Sequence, residues 1–86
     1  MKDIKILQII PAPPGLFARF DNDSWWEYSK ALCLALVEEG DIRFVDAVEM
    51  CRDGDSWLSS TASNFSGLFI REDRKHEVWF EEEKTP

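Results

Sequence analysis

The sequence is poor in the residues on which most site chemistries depend. It has one histidine, His76, and two cysteines, Cys33 and Cys51, with no Cys-x-x-Cys pair. A structural zinc site, which takes Cys and His ligands at close spacing, is therefore not expected. No Gly-rich phosphate loop, HExxH pair or Gly-x-Ser-x-Gly elbow is present. The four glycines, Gly15, Gly40, Gly54 and Gly67, are each isolated at what read as turns or strand boundaries. No run of about 18 apolar residues exists, so no transmembrane helix is expected. The N-terminal apolar stretch is brief, is broken by Pro11, Pro13 and Pro14, and does not read as a signal peptide. The expected location is the cytoplasm, where two lone cysteines read as small buried hydrophobes rather than a disulfide. Asn64-Phe65-Ser66 then matches a glycosylation acceptor by pattern only. Positive charge is also scarce: 10 Lys and Arg face 17 Asp and Glu, for a net charge of −7. Phosphate-backbone binding needs Lys and Arg to displace counterions, so direct nucleic-acid binding is not expected.

What the chain has is apolar residues in short runs. At 86 residues it is one domain, and 44% hydrophobic with 13% aromatic residues is enough for a packed core. A domain of this size buries only about 60–65% of its unfolded surface, so a partner or a second copy would add to its stability.

Ile4 to Ile10 is rich in β-branched residues and reads as a strand with one buried face, Ile4, Ile6, Gln8 and Ile10 lying opposite Lys5, Leu7 and Ile9. Pro11 to Gly15 is a corner, and Leu16 to Phe20 reads as a second strand ended by the turn chemistry of Asp21 to Ser24. The next segment is open to two readings. Ser24-Trp25-Trp26-Glu27 matches a helix capping box, and Gly40 stands where a helix could stop. Against a helix, the apolar run from 31 to 37 has no polar face. It also continues through Glu38-Glu39-Gly40-Asp41 into the alternating run Ile42 to Met50, which together read as a β-hairpin. The strand reading of 30–38 is preferred. Arg52 to Asp55 is a further turn, 56–66 a loop packed down by Trp57, Leu58 and Phe65, Gly67 to Arg71 a fifth strand, and 78–80 a short last one.

Ile9-Ile10-Pro11-Ala12-Pro13-Pro14-Gly15, the aromatic strand after it and Leu34-Ala35-Leu36-Val37-Glu38 resemble small uncharacterised bacterial proteins whose N-terminal strand closes at a Pro-Ala-Pro-x-Gly corner. The resemblance covers about the first 50 residues. It implies the strand reading of 30–38 and carries no activity or site.

The expected fold is mainly β, a small antiparallel sheet or barrel of about five strands. The alternative is α+β with one helix at about 24–38. Residues 1–80 form the domain, and 81–86 read as an acidic tail.

Four kinds of site compete. Of the net −7, −5 falls in residues 38–55, where Glu38, Glu39, Asp41, Asp53 and Asp55 are candidates for meeting a basic partner, against the plainer reading of a solvated rim. Trp25, Trp57 and Trp79 are candidate contact residues, since exposed Trp is favoured in interface hot spots; Trp26 reads as core. Catalysis has little to work with. His76 sits among charges, no serine has an activating base at recognisable spacing, and only Glu38 with Glu49, opposite across the expected hairpin, could shift a carboxyl pKa. Lastly, Arg19, Arg43 or Arg71 could clamp a nucleotide-like ligand against aromatic rings. The expectation is a non-catalytic acidic binding protein with no cofactor and no metal. It would act through protein–protein association, including self-association, as an inhibitor or accessory factor of bacterial or phage type. The alternative is an oligomer that sequesters a nucleotide-like ligand at a subunit interface.

Overall fold

The computed structural model describes residues 3–50 and 56–85, and residues 50, 56 and 57 by backbone alone. Seven strands follow in order: β1 (Ile4–Pro11), β2 (Leu16–Asn22), β3 (Trp25–Glu39), β4 (Ile42–Met50), β5 (Ser56–Leu58), β6 (Phe65–Ile70) and β7 (Trp79–Glu83). Two 3-10 turns, Ser59–Thr61 and Glu72–Arg74, flank β6. All pairings are antiparallel, and the sheet does not close into a barrel, so of the two expected forms it is the open sheet.

The 15-residue β3 is the spine. Its first half lies between β2 and β7, and its second half lies between β1 and β4. β6 extends the sheet beside β2, and β5 extends it beside β4. The changeover falls at Leu32. Ala31 pairs with Glu49 but Cys33 with Val48, so Leu32 is one extra residue on β3. Such a bulge bends a strand and increases its twist. The four-stranded base β6–β2–β3–β7 therefore continues into an arm built from β1, the end of β3 and β4.

The helix alternative for 24–38 is wrong for a visible reason. Ser24 sits in a two-residue hairpin turn with Asp23 at φ 60°, between the paired Asn22 and Trp25. Glu27, which would have closed the capping box, accepts hydrogen bonds from Trp79 Nε1 (2.8 Å) and Asn22 Nδ2 (2.6 Å) instead. The apolar run 31–37 belongs to a strand with ladder partners on both edges, β1 on one side and β4 on the other.

The other turns follow their sequence chemistry. Leu16 N–H donates to Pro13 O (3.3 Å), with Pro14 and Gly15 (φ 79°) between them, the pattern of a type II turn. Gly40 at φ 60° opens the two-residue loop between Glu39 and Ile42. The expected acidic tail is largely strand: Glu81, Glu82 and Glu83 pair with Glu27, Trp26 and Trp25, and Lys84 N–H donates to Ser24 O. Three residues expected in the 56–66 loop form β5.

The core has two centres. Phe17, Tyr28 and Phe80 pack under the base, with Tyr28 stacked on Phe80 at 4.5 Å and Phe17 edge-on to Phe80 at 5.1 Å. Leu16, Ala31 and Ala47 pack where the arm leaves the base, with Ala12 and Leu34 against them.

Candidate interaction surface

β1 is exposed at all eight residues, although it is the most β-branched segment of the chain. The expected buried face does not exist. Its register explains what replaces it. Ile4, Ile6, Ile9 and Pro11 pair with Glu39, Val37, Ala35 and Cys33, while Lys5, Gln8 and Ile10 pair with Glu38, Leu36 and Leu34. Leu7 is an extra residue, and because side chains alternate, this irregularity moves Ile9 to the side of Ile4 and Ile6. On β4 the same face carries Ile42, Phe44, Asp46 and Val48.

The result is a three-strand patch. Val37 and Ala35, both fully buried, form its floor. Ile4, Ile6 and Ile9 stand along one side and Ile42 with half-buried Phe44 on the other. Ile9 and Ile42 are 62% and 60% exposed. On the opposite face Ile10 and Val45 are also exposed. No second layer covers the end of the arm among the described residues, whereas stable sheets bury their apolar faces against one.

The residues singled out from sequence are not gathered into one site. Trp25 and the pair Glu38–Glu39 lie at opposite ends of β3. Trp25 is exposed, whereas Trp79 is half-buried and donates to Glu27. The Trp57 side chain, Asp53 and Asp55 fall outside the described residues, as does Cys51. Glu38 is ion-paired with Arg43 at 2.9 Å, Glu39 borders the isoleucine patch and Asp41 is exposed in the hairpin turn. An open depression of about 260 Å³ lies at this tip, lined by Asp3, Lys5, Glu38 and Gly40.

Glu38 and Glu49 are not opposite each other: Glu38 pairs with Arg43, and Glu49 with Ala31 at the other end of the ladder. Glu49 is nevertheless perturbed. Burial pushes its carboxyl up to about 7, against the opposing hydrogen bond from Ser59 and with help from the negative charges of Glu27 and Asp46. Asp46 is itself buried and accepts from the Ser60 N–H and hydroxyl and the Ala47 N–H. These bonds fasten the Ser59–Thr61 turn to β4. Among the described residues no group of three or more His, Cys, Asp or Glu is placed to hold a metal ion.

The arginines offered as a ligand clamp are engaged with the protein's own rings. The Arg19 guanidinium lies 3.8 Å from the Trp26 ring centre and 3.9 Å from that of Phe69, and its Nη2 donates to Ser66 Oγ. Arg71 makes paired hydrogen bonds to both Glu82 and Asp73 and sits over Tyr28 and Phe80. The hydrogen bonds that Arg71 donates to Glu82 and Asp73 raise its pKa further and hold both carboxyls below the usual range. His76 is exposed in the turn after Glu72–Arg74.

No protein-family model matches the chain, and no curated protein or solved structure is significantly similar to it. Among the described residues no helix is long and apolar enough to cross a membrane.

The residues that sequence reading missed are Ile4, Ile6, Ile9 and Ile42. Their signal was present as an apolar fraction larger than a single small core needs. Their exposure was not readable, because β-branched runs look the same whether or not a layer covers them.

Proposed function

We propose that this protein is a non-catalytic association module that binds another protein chain through the end of its β1–β3–β4 arm. The observation that supports this reading most directly is the row of exposed isoleucines over a buried Val37–Ala35 floor. Contiguous exposed apolar patches are rare on monomers and mark contact surfaces. The acidic tip at Glu38, Glu39 and Asp41 borders the patch and would bias the choice of partner rather than supply the affinity. An inhibitor or accessory role fits such a module.

Sequestration of a nucleotide-like ligand draws less support. Its proposed clamps, Arg19 and Arg71, are already stacked on Trp26, Phe69, Tyr28 and Phe80, and Arg43 pairs with Glu38.

A photo-reactive residue placed at position 9, with position 76 as control, tests the reading in the cells that make the protein. Covalent adducts with protein at 9 and none at 76 are expected. Equal labelling at both positions, or none at 9, removes it.

A further inference from the structure

Resting on that association reading, we infer that the occupant of the isoleucine patch is a second copy of this chain, packed face to face with its arm antiparallel to the first. Shape and area point to a self-complementary dimer, and charge sets its orientation.

The first is shape. The chain exposes 5861 Å², whereas a compact monomer of this mass exposes roughly 5200 Å². Its radius of gyration is 13.2 Å with extents of 40 × 26 × 23 Å, against about 12 Å for a globule of this length. The excess surface goes with an elongated outline.

The second is area. Ile4, Ile6, Ile9 and Ile42 together expose about 400 Å² per copy, and the flanking Phe44, Glu39, Cys33 and Pro11 add to the face. Two such faces approach the lower limit of a specific interface, about 1,200 Å² in total, which is the size class of weak, transient association. Two such faces stacked at the usual sheet separation of about 10 Å form the second layer that each arm lacks among the described residues.

The third is charge. The net −7 on each copy opposes association, so charge decides the orientation in which two copies can meet. Within β1 the one charged residue is Lys5, which is on the opposite face. The exposed or half-buried acids near the patch, Glu39 and Asp41, are at its tip, and Asp46, on the same face in the row of Ile9, is buried and held by Ser60. An antiparallel arrangement sets the tip of one arm against the uncharged Pro11–Cys33 end of the other. The two acidic tips are then separated by about the length of β1, roughly 25 Å, beyond the screening length at physiological salt.

Ile9 and Ile10 make the test sharp, because they are adjacent, both exposed, and on opposite faces. The wild-type chain, Ile9→Asp and Ile10→Asp are measured by sedimentation equilibrium from low micromolar to about 0.5 mM, with circular dichroism and thermal melts confirming that each is folded. A wild-type dimer is expected, with Ile9→Asp raising Kd at least roughly a hundredfold and Ile10→Asp changing it less than about threefold. Raising NaCl from about 50 to 500 mM is expected to tighten the dimer several-fold by screening the two like-charged copies. A wild-type monomer at the highest concentration overturns the proposal, as does a dimer broken by Ile10→Asp and not by Ile9→Asp, or one that salt dissolves. If Ile9→Asp does not fold, Ile9→Ser and Ile42→Ser replace it with the same expectation. In the monomer outcome an apolar dye separates the two readings. Dye binding lost in the position 9 variant keeps the face as a contact surface for a different protein, and no dye binding removes the association reading as well.

Discussion

Ser59 Oγ donates to Glu49 Oε2 across 3.2 Å, and both residues are buried. The bond joins the turn after β5 to β4. It does not keep the carboxyl acidic, because loss of hydration outweighs it and Glu49 is held up at about 7 instead of its ordinary 4.5. The native state therefore binds a proton that the unfolded chain releases between those values. Stability from that proton is present in full below about pH 4.5 and is lost as the pH rises to about 7. The wild type is expected to lose roughly 2–3 kcal/mol between pH 5 and pH 8 in urea titrations. Glu49→Gln, which keeps an acceptor for Ser59, should flatten that dependence. An equal slope in the variant would place the effect on another group.

The Arg19 guanidinium between Trp26 and Phe69 closes one side of the base. Its planar charge faces both rings, and its buried Nε–H has no acceptor among the described residues. The ring contacts are the compensation for that unpartnered donor. Arg19→Lys replaces the flat fork with a compact ammonium and is expected to cost about 1–2 kcal/mol, read as a lower urea midpoint with altered Trp fluorescence. A neutral outcome would mean that packing of the aliphatic stem, not the guanidinium, supports the rings.

Two turn residues should respond with opposite signs. Gly15 has φ 79°, and its carbonyl accepts the Arg71 N–H at 2.8 Å. A Cβ there would stand 3.4 Å from Arg71 O, so space is adequate and the cost is backbone strain. Gly15→Ala is expected to destabilise by about 1 kcal/mol. Asp23 has a comparable positive φ, 60°, with a side chain, and its N–H donates to Asp21 Oδ1. Asp23→Gly is expected to stabilise by about 0.5 kcal/mol. Melting temperatures that move in the same direction for both would contradict the strain argument.

The strand reading rested on β-branched runs separated by Pro-Gly, Asp and Gly-Asp turns, and it locates most of the sheet. It fell short in three places. The capping-box pattern at Ser24–Glu27 competed with the strand because it is local, while Glu27 is used 52 positions away by Trp79. The acidic run 81–83 looked like a tail because its pairing with β3 depends on Tyr28 and Phe80 stacking, not on its own composition. The candidate site was half legible: Glu38, Glu39 and Asp41 border the surface, but its centre was read as core.

The sequence by itself determined a mainly β fold, an acidic balance of charge and most of the turns between strands, since those follow from side-chain shape and backbone preference at each position. Only the tertiary structure decided which apolar faces find a layer. The extra residue at Leu7 puts Ile9 beside Ile6, the extra residue at Leu32 carries β3 off the base, and the end of the resulting arm has no cover among the described residues. Register and burial are set by contacts between distant segments, so a run of isoleucines cannot record whether it closes a core or waits for a partner.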